Sequence, residues 1–218
     1  MTDPNLQPAP DPGPPESADT SDKTLHIGGA GTAGMALLIV SLSILFIASM
    51  VAYVIVRMQI QLRLRAAGYT DTWPPPGMPA IPRTLWLSTL VIVISSVTIQ
   101  MALNAVRRDK QNALRRNLVA TFALGLLFLA LQTFNWWEFY SALRPGMQIS
   151  GAYLGMFYTL TGLHAAHVLG GLIPLAFVTF RAFKEKYSRN YYPGIRYSTV
   201  YWHFLDAIWL ALFFVIYF

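Results

Sequence analysis

The chain has 218 residues, of which 55% are hydrophobic and only 12% are charged. Soluble domains carry about 25% charged residues, so this deficit favours a membrane protein. The formal net charge of +6 does not indicate nucleic-acid binding, because the basic residues form short clusters between long apolar segments. Cysteine is absent, which excludes a disulfide framework, a thiolate metal site and a cysteine nucleophile.

The first 32 residues differ in composition from the remainder. They contain five acidic residues, one base, Lys23, and six prolines. A secretory signal peptide would begin basic and then become apolar, which this segment does not. Such a composition buries little apolar surface. We therefore predict two domains: a disordered, acidic, proline-rich cytoplasmic tail over residues 1–32 and a membrane domain over residues 33–218.

Five apolar segments follow, and each is long enough to cross a hydrocarbon core of about 30 Å as a helix of about 20 residues. The predicted fold is all-α, a polytopic bundle of five transmembrane helices. Between the first two segments, residues 58–84 contain five prolines and are expected to form a loop that ends the first helix. The predicted spans are Ala33–Arg57, Leu85–Val106, Leu118–Tyr140, Leu154–Phe180 and Tyr197–Phe218.

Five Asp, Glu and His residues lie within the third, fourth and fifth spans and are the candidates for a site. His164 and His167 are three residues apart and share a helix face, as do His203 and Asp206. A metal or haem site and a regulatory proton site are alternatives, but only His203 is left to face the first pair. We favour an intramembrane polar network in which Asp206 pairs with His164 or His167 across the fourth and fifth helices. The predicted network is Glu138, His164, His167, His203 and Asp206.

Small and hydroxylic residues predict close helix packing. On the second helix these are Ser95 and Ser96, and on the fourth they are Gly162, Gly170 and Gly171. No Ser–His–acid arrangement, phosphate-binding glycine loop or paired carboxylates are recognisable, so we predict no catalytic residue and no cofactor or metal bound by this chain.

Two segments resemble conserved motifs of the cytochrome c oxidase subunit III family. Tyr158–Val168 contains T-G-L-H-A-A-H-V, similar to the family's T-G-[FL]-H-x-x-H-V, and Tyr201–Trp209 is similar to its Y-W-H-F-[VL]-D-x-x-W. Ser95-Ser96 and the spacing of Gln132 and Glu138 give weaker matches. The resemblance covers everything except the tail and is nearest to the short five-helix bacterial form.

The resemblance implies a non-catalytic subunit of a haem–copper terminal oxidase, cytochrome c oxidase, that supports stability, lipid retention and proton uptake. It implies subunit I as the main contact, with subunit II and phospholipids as further partners and with haem and copper in the partner subunits. The implied location is the bacterial cytoplasmic membrane. Two departures weaken a proton role, because Leu42 and Asn135 stand where the family carries glutamate.

Other functions remain open from the sequence. The departures are also compatible with a subunit III-like protein of a quinol oxidase or a nitric oxide reductase. A membrane cytochrome would bind haem through His164, His167 and His203. A small transporter is disfavoured, since five helices without an internal repeat do not form matched halves.

We predict an orientation from the positive-inside rule. Of the 16 Lys and Arg residues, five fall on one side of the membrane (Arg57, Arg63, Arg65, Arg83 and Arg144) and the others on the side of the tail. The N-terminus should be cytoplasmic and Phe218 should lie at the outer face. Reporter fusions in each loop test this topology, and a periplasmic signal from the Arg107–Asn117 loop would contradict it.

Overall fold

A computed structural model describes residues 20–69, 82–143 and 151–217, and it contains five long helices. The predicted all-α architecture is confirmed, because all five helices are long and apolar enough to cross a membrane. The chain is therefore a multi-pass membrane protein. The helices are α1 (Thr20–Ala66), α2 (Thr84–Arg107), α3 (Gln111–Ser141), α4 (Gly151–Phe183) and α5 (Pro193–Tyr217).

Most helix ends lie outside the predicted spans. Helix α1 begins at Thr20, inside the segment predicted as a tail, whereas residues 1–19 lie outside the described part. At its other end the prediction of a loop from Met58 is wrong, because the helix continues to Ala66. The residues between Met58 and Ala66 include no glycine or proline, so their polar side chains do not break the helix.

Helix α1 stops at a glycine. Gly68 has a φ of 83°, a left-handed conformation that glycine adopts without steric cost. The N–H of Tyr69 donates to the carbonyl of Leu64 at 3.0 Å, and the N–H of Gly68 donates to that of Arg65 at 3.0 Å. These two bonds satisfy carbonyl groups that the end of a helix leaves unpaired. The remaining part of the predicted loop, residues 70–81, lies outside the described residues.

The α2–α3 and α4–α5 turns are joined to each other. Arg115, near the start of α3, forms an ion pair with Glu185 at 2.8 Å and donates from Nε to the carbonyl of Ala182 at 3.2 Å. Gln111 donates to the carbonyl of Tyr187 at 3.0 Å. Burial raises the pKa of the Tyr187 phenol. The two turns form one connected end of the bundle.

Helices α2 to α5 pack in chain order, and α5 closes the ring against α2. Helices α2 and α5 are antiparallel. Thr89 forms a hydrogen bond with Trp209, whereas Ser96, further along α2, forms one with His203, which comes earlier in α5. Side-chain contacts give the same antiparallel order for the other neighbouring pairs. This alternation is an up-down-up-down four-helix bundle.

Within the compact unit Leu38–Phe218, α1 contributes few but large contacts. Phe46 is fully buried and Tyr53 nearly so, one heptad apart on the same face. The Phe46 ring lies 5.2 Å from the His167 ring, and Arg57 donates to the carbonyl of Val215 at 3.3 Å. Most of the exposed side chains of this part of α1 are apolar, as expected of a surface that faces lipid or a partner subunit.

We predict that Gly125 is a position where the bundle tolerates no larger side chain. A Cβ atom there would lie 2.9 Å from Leu172 Cδ2 and 2.9 Å from Trp202 Cη2, whereas one at Gly170 would meet nothing within 4 Å. Gly125→Leu should destabilise the domain by about 1–3 kcal/mol through overpacking. Gly170→Leu is the matched control and should leave stability unchanged within error. Thermal unfolding in detergent measures both, and equal midpoints would contradict the packing of α3 against α4 and α5.

Candidate functional site

The interior of the bundle encloses one imidazole in aromatic rings. His164 on α4 has no exposed surface. Its ring centroid lies 5.0 Å from that of Trp209, 5.7 Å from that of Phe128 and 6.2 Å from that of Phe46. Neither ring nitrogen has a hydrogen-bond partner among the described residues. His164 is thus enclosed by aromatic rings and has no exposed surface.

The expected pairing of Asp206 with His164 or His167 is wrong. Both carboxylate oxygens of Asp206 lack a hydrogen bond within the described part of the chain, although the residue is only 5% exposed. His167 Nδ1 instead bonds to the carbonyl of Leu163 on its own helix at 2.7 Å. Ser96 also interacts with Asp206, but its hydroxyl group donates to His203. Of the three residues of the predicted pairing, only His167 has a hydrogen-bond partner among the described residues, and that partner is a backbone carbonyl.

A hydrogen-bonded seam joins α5 to α2. The indole N–H of Trp202 donates to Ser95 Oγ at 2.8 Å, and that of Trp209 donates to Thr89 Oγ1 at 3.0 Å. Ser96 Oγ lies 2.7 Å from His203 Nδ1. Ser95 and Ser96 were expected to allow close packing of α2 against a neighbouring helix. They lie at the contact between α2 and α5, where they form hydrogen bonds across it.

His203 is held between two residues of α2. Its Nε2 lies 3.1 Å from Gln100 Oε1, while its Nδ1 faces the Ser96 hydroxyl group. An amide oxygen can only accept, so Nε2 carries the proton and Nδ1 accepts from Ser96. Both imidazole nitrogens are thereby occupied.

Glu138 occupies a separate site near one end of α2 and α3. Its carboxylate accepts a hydrogen bond from Thr84 Oγ1 at 2.8 Å, and Thr84 also contacts the side chain of Asn135. A hydroxyl group carries one proton and donates to only one of these acceptors at a time. Glu138, His164 and His203 thus lie in three different environments, and hydrogen bonds between the described residues do not join the predicted set into one network.

Sequence reasoning missed several members of these sites. In the sequence, Thr84 and Thr89 are simply hydroxyl residues in an apolar helix, so nothing indicates that they bond to a site residue. Gln132 was noted only for its spacing from Glu138. Gln132 is 1% exposed, and both polar atoms of its side chain lack a partner in the described part of the chain. Asn135, noted only as a departure from the family pattern, is fully buried beside Thr84.

The three glycines predicted to pack helices differ from one another. A Cβ at Gly171 would lie 2.8 Å from Tyr201 Cε1, so this glycine permits close contact between α4 and α5. At Gly162 it would lie 3.9 Å from Trp136, an ordinary contact. Gly170 faces open space.

The arrangement favours hydrogen bonding between helices over ligand binding. His203 has both nitrogens engaged, His167 has one engaged, and His164 is enclosed by rings. Among the described residues, no three His, Cys, Asp or Glu side chains are grouped so that they could hold a metal ion. The histidines therefore do not fit the haem site of the membrane-cytochrome alternative.

Comparisons with known proteins agree with the sequence resemblance. The family model described as cytochrome c oxidase subunit III matches residues 16–218. The chain is 38% identical over 157 residues to the probable cytochrome c oxidase subunit 3 of Mycobacterium tuberculosis strain H37Rv, covering 72% of this chain and 74% of the relative. It is 28% identical over 186 residues to cytochrome c oxidase subunit 3 of Synechocystis, covering 84% of this chain and 73% of the relative.

We predict that the seam contributes measurable stability. Ser95→Ala leaves the buried indole N–H of Trp202 unpaired and should cost about 1–2 kcal/mol. The double variant Ser95→Ala/Trp202→Phe should lose less than the sum of the two single variants, because each single change removes the same bond. Thr133→Val is the control, since Thr133 is exposed and bonds to Leu129 of its own helix. Additive losses in unfolding measurements would show that the bond contributes nothing.

Proposed function

Because the chain belongs to the cytochrome c oxidase subunit III family, we propose that it supports a haem–copper oxidase through helix packing and lipid retention and performs no redox chemistry itself. Its role is that of subunit III, in a membrane-bound oxidase complex. The complex would reduce oxygen to water with electrons from cytochrome c and pump protons, with haem and copper held by the partner subunits.

The observation that carries this proposal is the way the membrane-embedded histidines are used. His203 and His167 make hydrogen bonds that stabilise helices, and His164 fills an aromatic shell. Leu42, at the position where the resemblance leads one to expect a glutamate, packs against the apolar core. These side chains support a structural contribution over a proton path through the first helix.

We further propose that subunit I is the main contact, that subunit II belongs to the same complex and that phospholipids cover part of the exterior. The outward faces of the helices are rich in large apolar side chains, for example Leu90, Phe177 and Phe214. Such a surface requires lipid or protein neighbours. The basic residues favour a cytoplasmic N-terminus in a bacterial cytoplasmic membrane.

Deletion of the chain from the oxidase tests the proposal. We expect the haem absorption spectrum of subunit I to stay nearly unchanged, because no haem ligand is lost. Activity should decay faster during continuous turnover, because packing and bound lipid are lost. The measurements are a reduced-minus-oxidised spectrum and a turnover time course on the purified complex.

Re-expression of the unaltered chain is the control and should restore the lifetime of the enzyme. Loss of the haem spectrum on deletion would contradict a peripheral structural role and indicate a part in building the catalytic core. An unchanged inactivation rate would contradict the stabilising role.

A further inference from the structure

Gln132 of α3 and His164 of α4 lie at nearly the same level of the bundle interior. Gln132 is 1% exposed and His164 is 0% exposed. The indole N–H of Trp136 on α3 donates to Thr161 Oγ1 on α4 at 3.0 Å, which fixes the register of the two antiparallel helices. Gln132 lies about one turn before Trp136, and His164 lies about one turn after Thr161. Both positions are therefore displaced from that bond in the same direction.

These two side chains and Asn135 contain five buried polar atoms without a hydrogen bond among the described residues. The atoms are Oε1 and Nε2 of Gln132, Nδ1 and Nε2 of His164, and Nδ2 of Asn135. Asn135 is fully buried and lies one turn from Gln132 on α3. Unmade hydrogen bonds of buried groups lower stability, and a hydrocarbon environment offers no substitute partner. Three neighbouring side chains in this condition indicate a shared ligand.

A line of polar side chains connects this level with the end of α3. Asn135 contacts Thr84, the first residue of α2, and the Thr84 hydroxyl group bonds to the Glu138 carboxylate at 2.8 Å. Glu138 is half-buried and lies three residues before the end of α3 at Ser141. Glu138, Asn135 and Gln132 follow one side of α3 over a helical length of about 9 Å. We call Glu138, Asn135, Gln132 and His164 the polar file.

Aromatic rings surround the inner end of the polar file. The rings of Trp209, Phe128 and Phe46 pack around His164, and the indole N–H of Trp209 already donates to Thr89. These rings offer the imidazole no hydrogen bond. The hydrocarbon core outside the bundle contains no polar molecules either. A polar ligand of His164 therefore reaches it along the polar file, from the helix ends.

The chemistry of the unpaired atoms selects the ligand. The two amide groups present N–H donors and one carbonyl acceptor, and a neutral imidazole offers one donor and one acceptor. A cation would leave the amide N–H groups unpaired, and an anion would leave the amide oxygen unpaired. Water both donates and accepts, and a buried water molecule makes about three hydrogen bonds. A short chain of water molecules would satisfy all of these atoms.

We propose that the polar file binds a chain of internal water molecules that enters beside Glu138 and ends at His164. The water joins α3 to α4 through hydrogen bonds that their side chains do not make directly. It also gives an imidazole without exposed surface contact with solvent at the end of the bundle. The inference goes beyond the proposed function and stands on residues of this chain alone, so it is tested without the oxidase complex.

Hydroxyl-radical footprinting with X-ray pulses on the full-length chain in detergent tests the proposal. Radicals form from water in place, so a buried side chain is oxidised when water is bound beside it. Trp209 and Trp202 are a matched pair, because they are 1% and 2% exposed but only Trp209 contacts His164, at 5.0 Å between ring centroids. We expect His164 and Trp209 to be oxidised severalfold faster than Trp202. Equal rates for the two tryptophans, or an unoxidised His164, would overturn the proposal.

A substitution in the middle of the polar file gives a second measurement. Gln132→Leu removes a donor and an acceptor at similar volume, and oxidation of Trp209 should fall to the rate of Trp202. Thr133→Leu is the matched control, because the neighbouring Thr133 is exposed, and it should leave the Trp209 rate unchanged. A Trp209 rate that Gln132→Leu does not lower would contradict the water chain. Should Gln132→Leu not fold, Asn135→Leu makes the same test one turn nearer the entrance, with the same two outcomes.

Discussion

Polar groups inside a bilayer have no water to bond with, and much of this structure follows from that constraint. The backbone satisfies itself by forming helices. The indole N–H groups of Trp202 and Trp209 need side-chain acceptors, and they find Ser95 and Thr89 on α2. Since the donors are seven residues apart and the acceptors are six apart, both bonds form only when α5 is antiparallel to α2 and in one register.

The close approach of the helices depends on residues that make no hydrogen bond. Trp202 reaches Ser95 with its ring packed against Gly125 of α3, where a Cβ would lie 2.9 Å from the indole. A larger residue on α3 would displace the same ring that sets the register of α5 on α2. Gly125 of α3 therefore acts on the α2/α5 seam through the Trp202 ring, and packing and hydrogen bonding in this bundle are coupled.

The sequence predicted the helices well because membrane hydropathy is a local property. It missed the end of α1 because polar residues after Arg57 lower the hydropathy without breaking the helix, which continues to Ala66 and is followed by the left-handed Gly68. It also misplaced the contacts of the histidines. A spacing of three residues puts His164 and His167 on similar faces, yet one lies in an aromatic shell and the other bonds to its own helix. Which helix faces each imidazole is a tertiary property that spacing does not encode.

The structure gives a physical meaning to the motif that carried the family resemblance. In Tyr201–Trp209 the two tryptophans fix α5 on α2, Tyr201 donates to the carbonyl of His167 on α4, and His203 bonds to Ser96 of α2. This one segment of α5 thus forms hydrogen bonds with both α2 and α4. Asp206 is the exception, since it is buried without a hydrogen bond among the described residues, which costs about 1–3 kcal/mol or more for such a group. This cost lowers the stability of the bundle, so stability alone does not account for a carboxyl group at this position.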